Sequence, residues 1–230
     1  MSAWQKLGDD LLALDQWGDF DAARTKFVKS DPSTWKWRTI DPHPVNIVVN
    51  AGVPREHFDA FVPRLLVALD ELRSDPGLEM VVRSLTKKKL TVATEKLIQL
   101  FEDESLVSEH RLLWAVGNAV YTIEPRDHLD RCLHICRNPR LGDSRQRLIV
   151  HLCRFKKSEE VFETLISLLD EDNARIRGAA FEALKRLDDV RALAAIERTP
   201  VGEGDDSIYE RHQKQMALKK LNEKKARSSR

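Results

Sequence analysis

Three segments in the C-terminal half of the chain align with one another: residues 106–122 (LVSEHRLLWAVGNAVYT), 142–157 (GDSRQRLIVHLCRFKK) and 172–188 (DNARIRGAAFEALKRLD). Ala115-Val116, His151-Leu152 and Ala183-Leu184 fall in register, 36 and then 32 positions apart. Each segment follows a shorter apolar stretch, at residues 95–101, 129–137 and 161–169. A period of this length, alternating a short and a longer amphipathic helix, predicts an all-α fold. The expected architecture is a helical solenoid, in which each helix pair buries its apolar face only by stacking on the next.

The 230 residues suffice for a sizeable core, and 42% hydrophobic with 33% charged residues suits a helix-rich globular chain. No run reaches the roughly 18 apolar residues of a membrane span, and the N-terminus carries acids within its apolar stretch rather than a signal pattern. Three cysteines, two of them in an apolar helical pattern, predict reduced thiols and a cytoplasmic location. The net charge of +1 hides an asymmetry: residues 211–230 hold eight Lys/Arg against one Glu, so residues 1–210 carry a net −6. A basic tail on an acidic body suits a solvated helix end, or contact with an acidic partner or nucleic acid, better than a chain that grips nucleic acid over its whole surface.

The expected organisation is an N-terminal helical region over 1–90, helix pairs over 91–225 and a basic tail at 226–230. Trp4, Leu7, Leu11 and Leu14 predict a first helix over residues 3–15, and Asp19 is the expected cap of a second carrying Phe20, Ala23 and Phe27. Residues 31–54 read as an irregular loop with Pro32, Pro42, Pro44 and Pro54. Within it Pro44 holds His43 out of helix, and residues 45–49 are strand-like. A further helix from residue 54 or 55 is expected to kink or break at Pro63. Asp75-Pro76 opens the next one, which Lys87-Lys88-Lys89 is expected to close. About four helix pairs follow: 94–102 with 106–122, 128–137 with 143–156, 159–170 with 172–187, and 189–198 with 206–224. Ser105, Asp143 and Asp172 or Asn173 are the expected N-caps of the second helices, and the polar last helix is the expected cap of the stack.

Residues 170–184 (DEDNARIRGAAFEAL) resemble the HEAT-repeat family, above all its short-repeat branch of the phycobilin-lyase type: an acidic turn, Ile176-Arg177, the small pair Ala179-Ala180, then Ala183-Leu184. Residues 113–118 (LWAVGN) are similar to the second-helix signature of armadillo repeats. The likeness covers about 130 residues and implies an α-solenoid, a right-handed α-α superhelix, that binds a protein or peptide on its concave face. In armadillo repeats a tryptophan and an asparagine one turn apart, here Trp114 and Asn118, grip an extended peptide through an indole shelf and an amide.

Projecting the second helices places Arg111, Trp114, Asn118, Arg147, His151, Arg154, Arg175, Glu182 and Arg186 on that face. Five of these are spaced arginines that suit acidic side chains or phosphates, and equally a solvated polar surface. Trp35, Trp37 and His43 form a secondary candidate: an aromatic–cation loop that stacks bases, or indoles that seal the end of the stack. His128, Cys132, His134, Cys136, His151 and Cys153 are metal-ligand types. Cys132 and Cys136, however, share a stripe with Leu129 and Leu133, and Cys153 falls with Leu148, Ile149 and Leu152. Without a Cys-x-x-Cys knuckle the pattern is that of buried thiols, so no metal and no cofactor is expected.

The chain contains no glycine-rich phosphate loop, no His-Glu-x-x-His and no Gly-x-Ser-x-Gly, and no residue is assigned a catalytic role. The expected function is therefore a non-enzymatic scaffold or adaptor, an immunity-type inhibitor among the forms such a scaffold takes. Two alternatives come from resemblance: a DNA-binding protein similar to the HEAT-like alkylpurine DNA glycosylases, and a bilin-lyase-like chaperone.

Overall fold

Ser2 and Gln5 close the first helix at its N-terminus: Gln5 N–H donates to Ser2 Oγ at 3.2 Å, and Ser2 N–H donates to Gln5 Oε1 at 3.0 Å. The computed structural model describes residues 1–22, 43–50 and 53–228, which are predominantly helical with no strand among them. They divide into two compact units, Met1–Lys96 and Leu97–Arg230. Expectations that fall on Ala23, Phe27, Trp35 and Trp37 lie outside the described residues.

The first unit holds α1 (Ala3–Leu14), α2 (Pro44–Asn50), α3 (Arg55–Glu71) and α4 (Leu78–Ser84). Leu7 and Leu11 of α1 pack with Phe58, Phe61, Leu65 and Leu69 of α3, all of them buried. Four expectations are corrected here. Asp19 is not the second helix's cap: Asp15 accepts from Asp19 N–H at 3.1 Å and Phe20 N–H at 2.8 Å, and Asp19 instead pairs with His57 Nδ1 at 2.7 Å. Residues 45–49 are not a strand but lie in α2, where Pro44 supplies the fixed φ of a first helical position and Val45 and Val48 bury against the core. The helix runs on through Pro63, losing one backbone bond that the buried face offsets. Finally, α4 stops at Ser84, before the lysine run, where Lys89 takes φ 65°.

In the second unit a first and a second set of helices alternate along the chain. The first members are α5 (Thr94–Glu102, which begins in the first unit), α7 (Leu129–Arg137), α9 (Glu159–Ser167) and α11 (Leu193–Arg198). The second members are α6 (His110–Ile123), α8 (Gln146–His151), α10 (Ala174–Leu187) and α12 (Ile208–Ser228). Helix α6 packs on α8, α8 on α10 and α10 on α12, so the second members neighbour one another, and among the first members α7 packs on α9. Helix α10 is closely enclosed: Ile176, Ala179, Ala180, Phe181, Ala183 and Leu184 are all fully buried. Gly178 is what lets α12 come close, because a Cβ there would meet the Tyr209 ring at 2.6 Å.

Polar rungs tie the first members together. Arg131 of α7 donates two bonds of 2.6 Å to Glu102 of α5, and Arg137 of α7 reaches Thr164 Oγ1 at 2.6 Å and Glu160 at 3.0 Å on α9. Arg191, just before α11, meets Glu159 at 2.8 Å. These exposed pairs are worth about 0–1 kcal/mol each, so they fix register more than they stabilise. The expected caps are corrected in part. Asn173 does cap α10, accepting from Arg175 N–H at 2.9 Å, but α6 has no side-chain cap and starts at His110, well past Ser105. Asp143 caps no helix; it accepts from Asn173 Nδ2 at 2.8 Å, linking successive turns. The expected helix 143–156 is broken into a 3-10 turn over Pro139–Arg145, α8, and a second 3-10 turn over Leu152–Arg154. Residues 226–228, expected as tail, continue α12.

Candidate functional site

The second-helix face is built from α6, α8, α10 and the start of α12, and the side chains on it follow from helical spacing. Arg111, Trp114, Asn118 and Tyr121 recur at three- and four-residue steps along one stripe of α6. Arg111 is exposed, the Trp114 indole is 36% exposed, and Asn118 is half-buried. On α8 Arg147 is half-buried, as is Arg186 in the last turn of α10, while Arg175 in the first turn of α10 is exposed and pairs with Asp143 at 3.5 Å.

Four of the residues expected on this face meet in one network, and two tyrosines that the projection did not reach join them. Arg147 Nε donates to Asn118 Oδ1 at 3.4 Å, and its guanidinium sits 4.5 Å from the centre of the Tyr121 ring. Arg186 donates to Tyr121 Oη at 2.9 Å and to Glu182 Oε1 at 2.5 Å. Tyr209 of α12 donates to the other Glu182 oxygen at 2.8 Å. Burial, and then the Glu182 carboxylate beside it, hold the Tyr209 hydroxyl well above the ordinary phenol range, so it stays a donor. Glu182 is thus itself only 7% exposed and serves as the hub of the network rather than as a free acid. Asn118 keeps its amide donors: no described residue accepts from Nδ2. Tyr121 was within reach of sequence reasoning, one step further along the Arg111–Asn118 stripe; Tyr209 was not, because it lies on the capping helix.

His151 is a correction. It was expected on the surface and is fully buried. The turn after α6 folds across the end of α8, where Arg126 donates to the Arg154 carbonyl at 2.6 Å and Glu124 pairs with the Arg154 guanidinium, and this turn covers the imidazole. Phe155 packs edge-on to the ring at 5.6 Å. Neither ring nitrogen has a partner of normal hydrogen-bond geometry among the described residues, and the nearby Pro125 backbone offsets burial only in part. Burial, with the Arg154 charge adding to it, lowers the pKa from 6.5 to about 4, so His151 is neutral at pH 7. The unfolded chain therefore takes up this proton first as pH falls. The stabilisation is complete above pH 6.5 and is lost progressively toward pH 4, by about 2 kcal/mol between about pH 7.5 and about pH 5. His151→Leu is expected to unfold in urea with a pH dependence shallower by that amount and with no loss of stability at pH 7.5. Superimposable pH profiles for the two proteins would refute the assignment.

The remaining candidates lie apart from the network. Arg154 is half-buried at the end of α8 against Glu124. His43, in the first unit, is stacked 3.7 Å from Trp4 and donates from Nε2 to the Trp4 carbonyl at 2.8 Å, which makes it a structural side chain. Cys132, Cys136 and Cys153 are buried free thiols. Burial raises all three, Cys132 to about 12, so none is a thiolate at neutral pH. Among the described residues no group of three His, Cys, Asp or Glu side chains is placed to hold a metal ion, and no helix is long and apolar enough to cross a membrane.

Compared with known proteins, the chain matches no family model, no curated protein sequence and no solved structure.

Proposed function

We propose that the protein is a non-enzymatic binding scaffold, a HEAT-like or armadillo-like α-solenoid that holds a protein or peptide partner on the face formed by its second helices. The observation that carries this reading is the row formed by Asn118, Tyr121, Arg147, Glu182, Arg186 and Tyr209, which crosses four successive second helices and leaves the Trp114 indole partly exposed beside it. A face so tied is preorganised. Its arginine planes lose little side-chain freedom when a partner docks, which lowers the entropic cost of binding. Tryptophan, tyrosine and arginine are also the residues that carry most of the energy at protein interfaces. A toxin-neutralising inhibitor and an adaptor both fit this surface, since fold and face set the mode of binding and leave the partner open.

The test is affinity capture from native lysate with the full chain and with Trp114→Ala. One polypeptide retained in stoichiometric amount, and weakened by about tenfold or more in the variant, is the expected result; truncation at an interface hot spot costs 2 kcal/mol or so. A partner held equally by both proteins would move the site off this face. Recovery of nucleic acid alone, lost at raised salt, would replace the reading with a DNA- or RNA-binding one.

A further inference from the structure

Beside the network, where the second helices α6, α8 and α10 end, lies an open cavity of about 790 Å³. Five cations line it: Arg126, Arg154, Lys156, Lys157 and Arg186. No carboxylate is among the lining residues, and Leu129 and Phe155 supply apolar surface. This is a local reversal of charge on a body that is net −6 over residues 1–210, so the field it makes is directed and not general. The cations differ in what they have left to give. Arg154 is paired with Glu124 and Arg186 with Glu182, so both forks are partly engaged. Arg126 spends one nitrogen on the Arg154 carbonyl. Lys156 and Lys157 are exposed and form no ion pair with a described residue.

We infer that this cavity is the anchor for an acidic segment of the partner polypeptide: a short peptide whose carboxylates meet Lys156, Lys157 and Arg126 while an apolar side chain among them packs on Leu129 and Phe155. The proposal rests on the scaffold reading above and names the chemistry of the partner segment that docks at the edge of that face. Acidic peptide is favoured over a phosphate backbone because the two arginines best placed for bidentate phosphate recognition already hold carboxylates. The unspent charge belongs mainly to lysines, which act as mobile point charges. Charges flanking an apolar floor match carboxylates flanking an aliphatic residue.

The probe is a fluorescein-labelled peptide, Glu-Glu-Leu-Glu-Glu-Glu, titrated with the full chain and read by anisotropy. Binding is expected, weakened severalfold between about 50 and about 300 mM salt, and weakened about tenfold or more by Lys156→Glu/Lys157→Glu, a change of about 1.4 kcal/mol. Both lysines are exposed, so an unchanged circular dichroism melt shows that the variant is folded. A peptide with Lys in place of Glu should not bind. Peptide affinity untouched by the double variant overturns the site, as does a labelled oligothymidylate that binds more tightly and is lost in the same variant. The captured partner separates this proposal from the one it rests on. A partner lost with Trp114→Ala but retained by Lys156→Glu/Lys157→Glu overturns the anchor and leaves the scaffold standing; a partner retained by both variants overturns both.

Discussion

Arg145→Ala is expected to destabilise the C-terminal unit by roughly 3–5 kcal/mol. Arg145 is 1% exposed, the largest fully buried side chain among the described residues, and its guanidinium joins three elements. Nη1 donates at 2.6 Å to the carbonyl of Cys136, one of the last-turn carbonyls of α7 that the helix itself leaves unpaired. Nε reaches the Gly142 carbonyl at 3.3 Å, in a turn where Gly142 holds φ 49°, and Nη2 meets Glu171 at 2.7 Å. Truncation strands the Glu171 carboxylate and the buried carbonyl and opens a cavity as well. Arg145→Lys should recover less than half of the loss, since one ammonium cannot span three acceptors in a planar fork. Urea unfolding followed by circular dichroism reads both. A loss under about 1 kcal/mol would mean that the guanidinium does not hold these elements together.

Removing Glu210 is expected to have an effect of similar size. Glu210 has no exposed surface, yet it carries a carboxylate, which Arg177 Nε bonds directly. Arg177 also donates from Nη1 to the Glu171 carbonyl at 2.6 Å, so the pair locks α12 against α10 and sets Tyr209, the preceding residue, onto Glu182. Glu210→Ala leaves a guanidinium that is only 15% exposed without its counter-charge, at a cost of roughly 3–5 kcal/mol. Glu210→Gln keeps an acceptor and should cost about 1–2 kcal/mol. In a double-mutant cycle with Arg177→Met, the apolar double variant should be more stable than the sum of the two single losses predicts. A coupling below about 0.5 kcal/mol would show that the pair is incidental.

These two buried charges mark the boundary of what the chain's pattern discloses. The apolar period placed α5, α7 and the body of α10 closely, and Asn173 stood where a cap must stand, because periodicity and capping are local properties. Residues 45–49 misled for a local reason too: a β-branched run reads as strand until tertiary burial of Val45 and Val48 overrides it, and Pro44 starts a helix as readily as it ends one. Arg145 could not be found that way, since its partners lie nine residues before it and 26 after it. The face of α6 was legible as a stripe. The face of α8 was not, because the helix is only six residues long between 3-10 turns and a neighbouring turn covers His151. Tyr209 and Glu182 meet through the approach that Gly178 permits, a contact between helices that no spacing within one helix encodes.

The most direct measurement is hydrogen–deuterium exchange of the full chain, alone and saturated with its captured partner. New protection concentrated on α6, α8 and α10, around Trp114, Arg147 and Arg186, is the result expected of a scaffold that binds on its second-helix face. Protection confined to α7, α9 and α11, with the second helices unchanged, would contradict it.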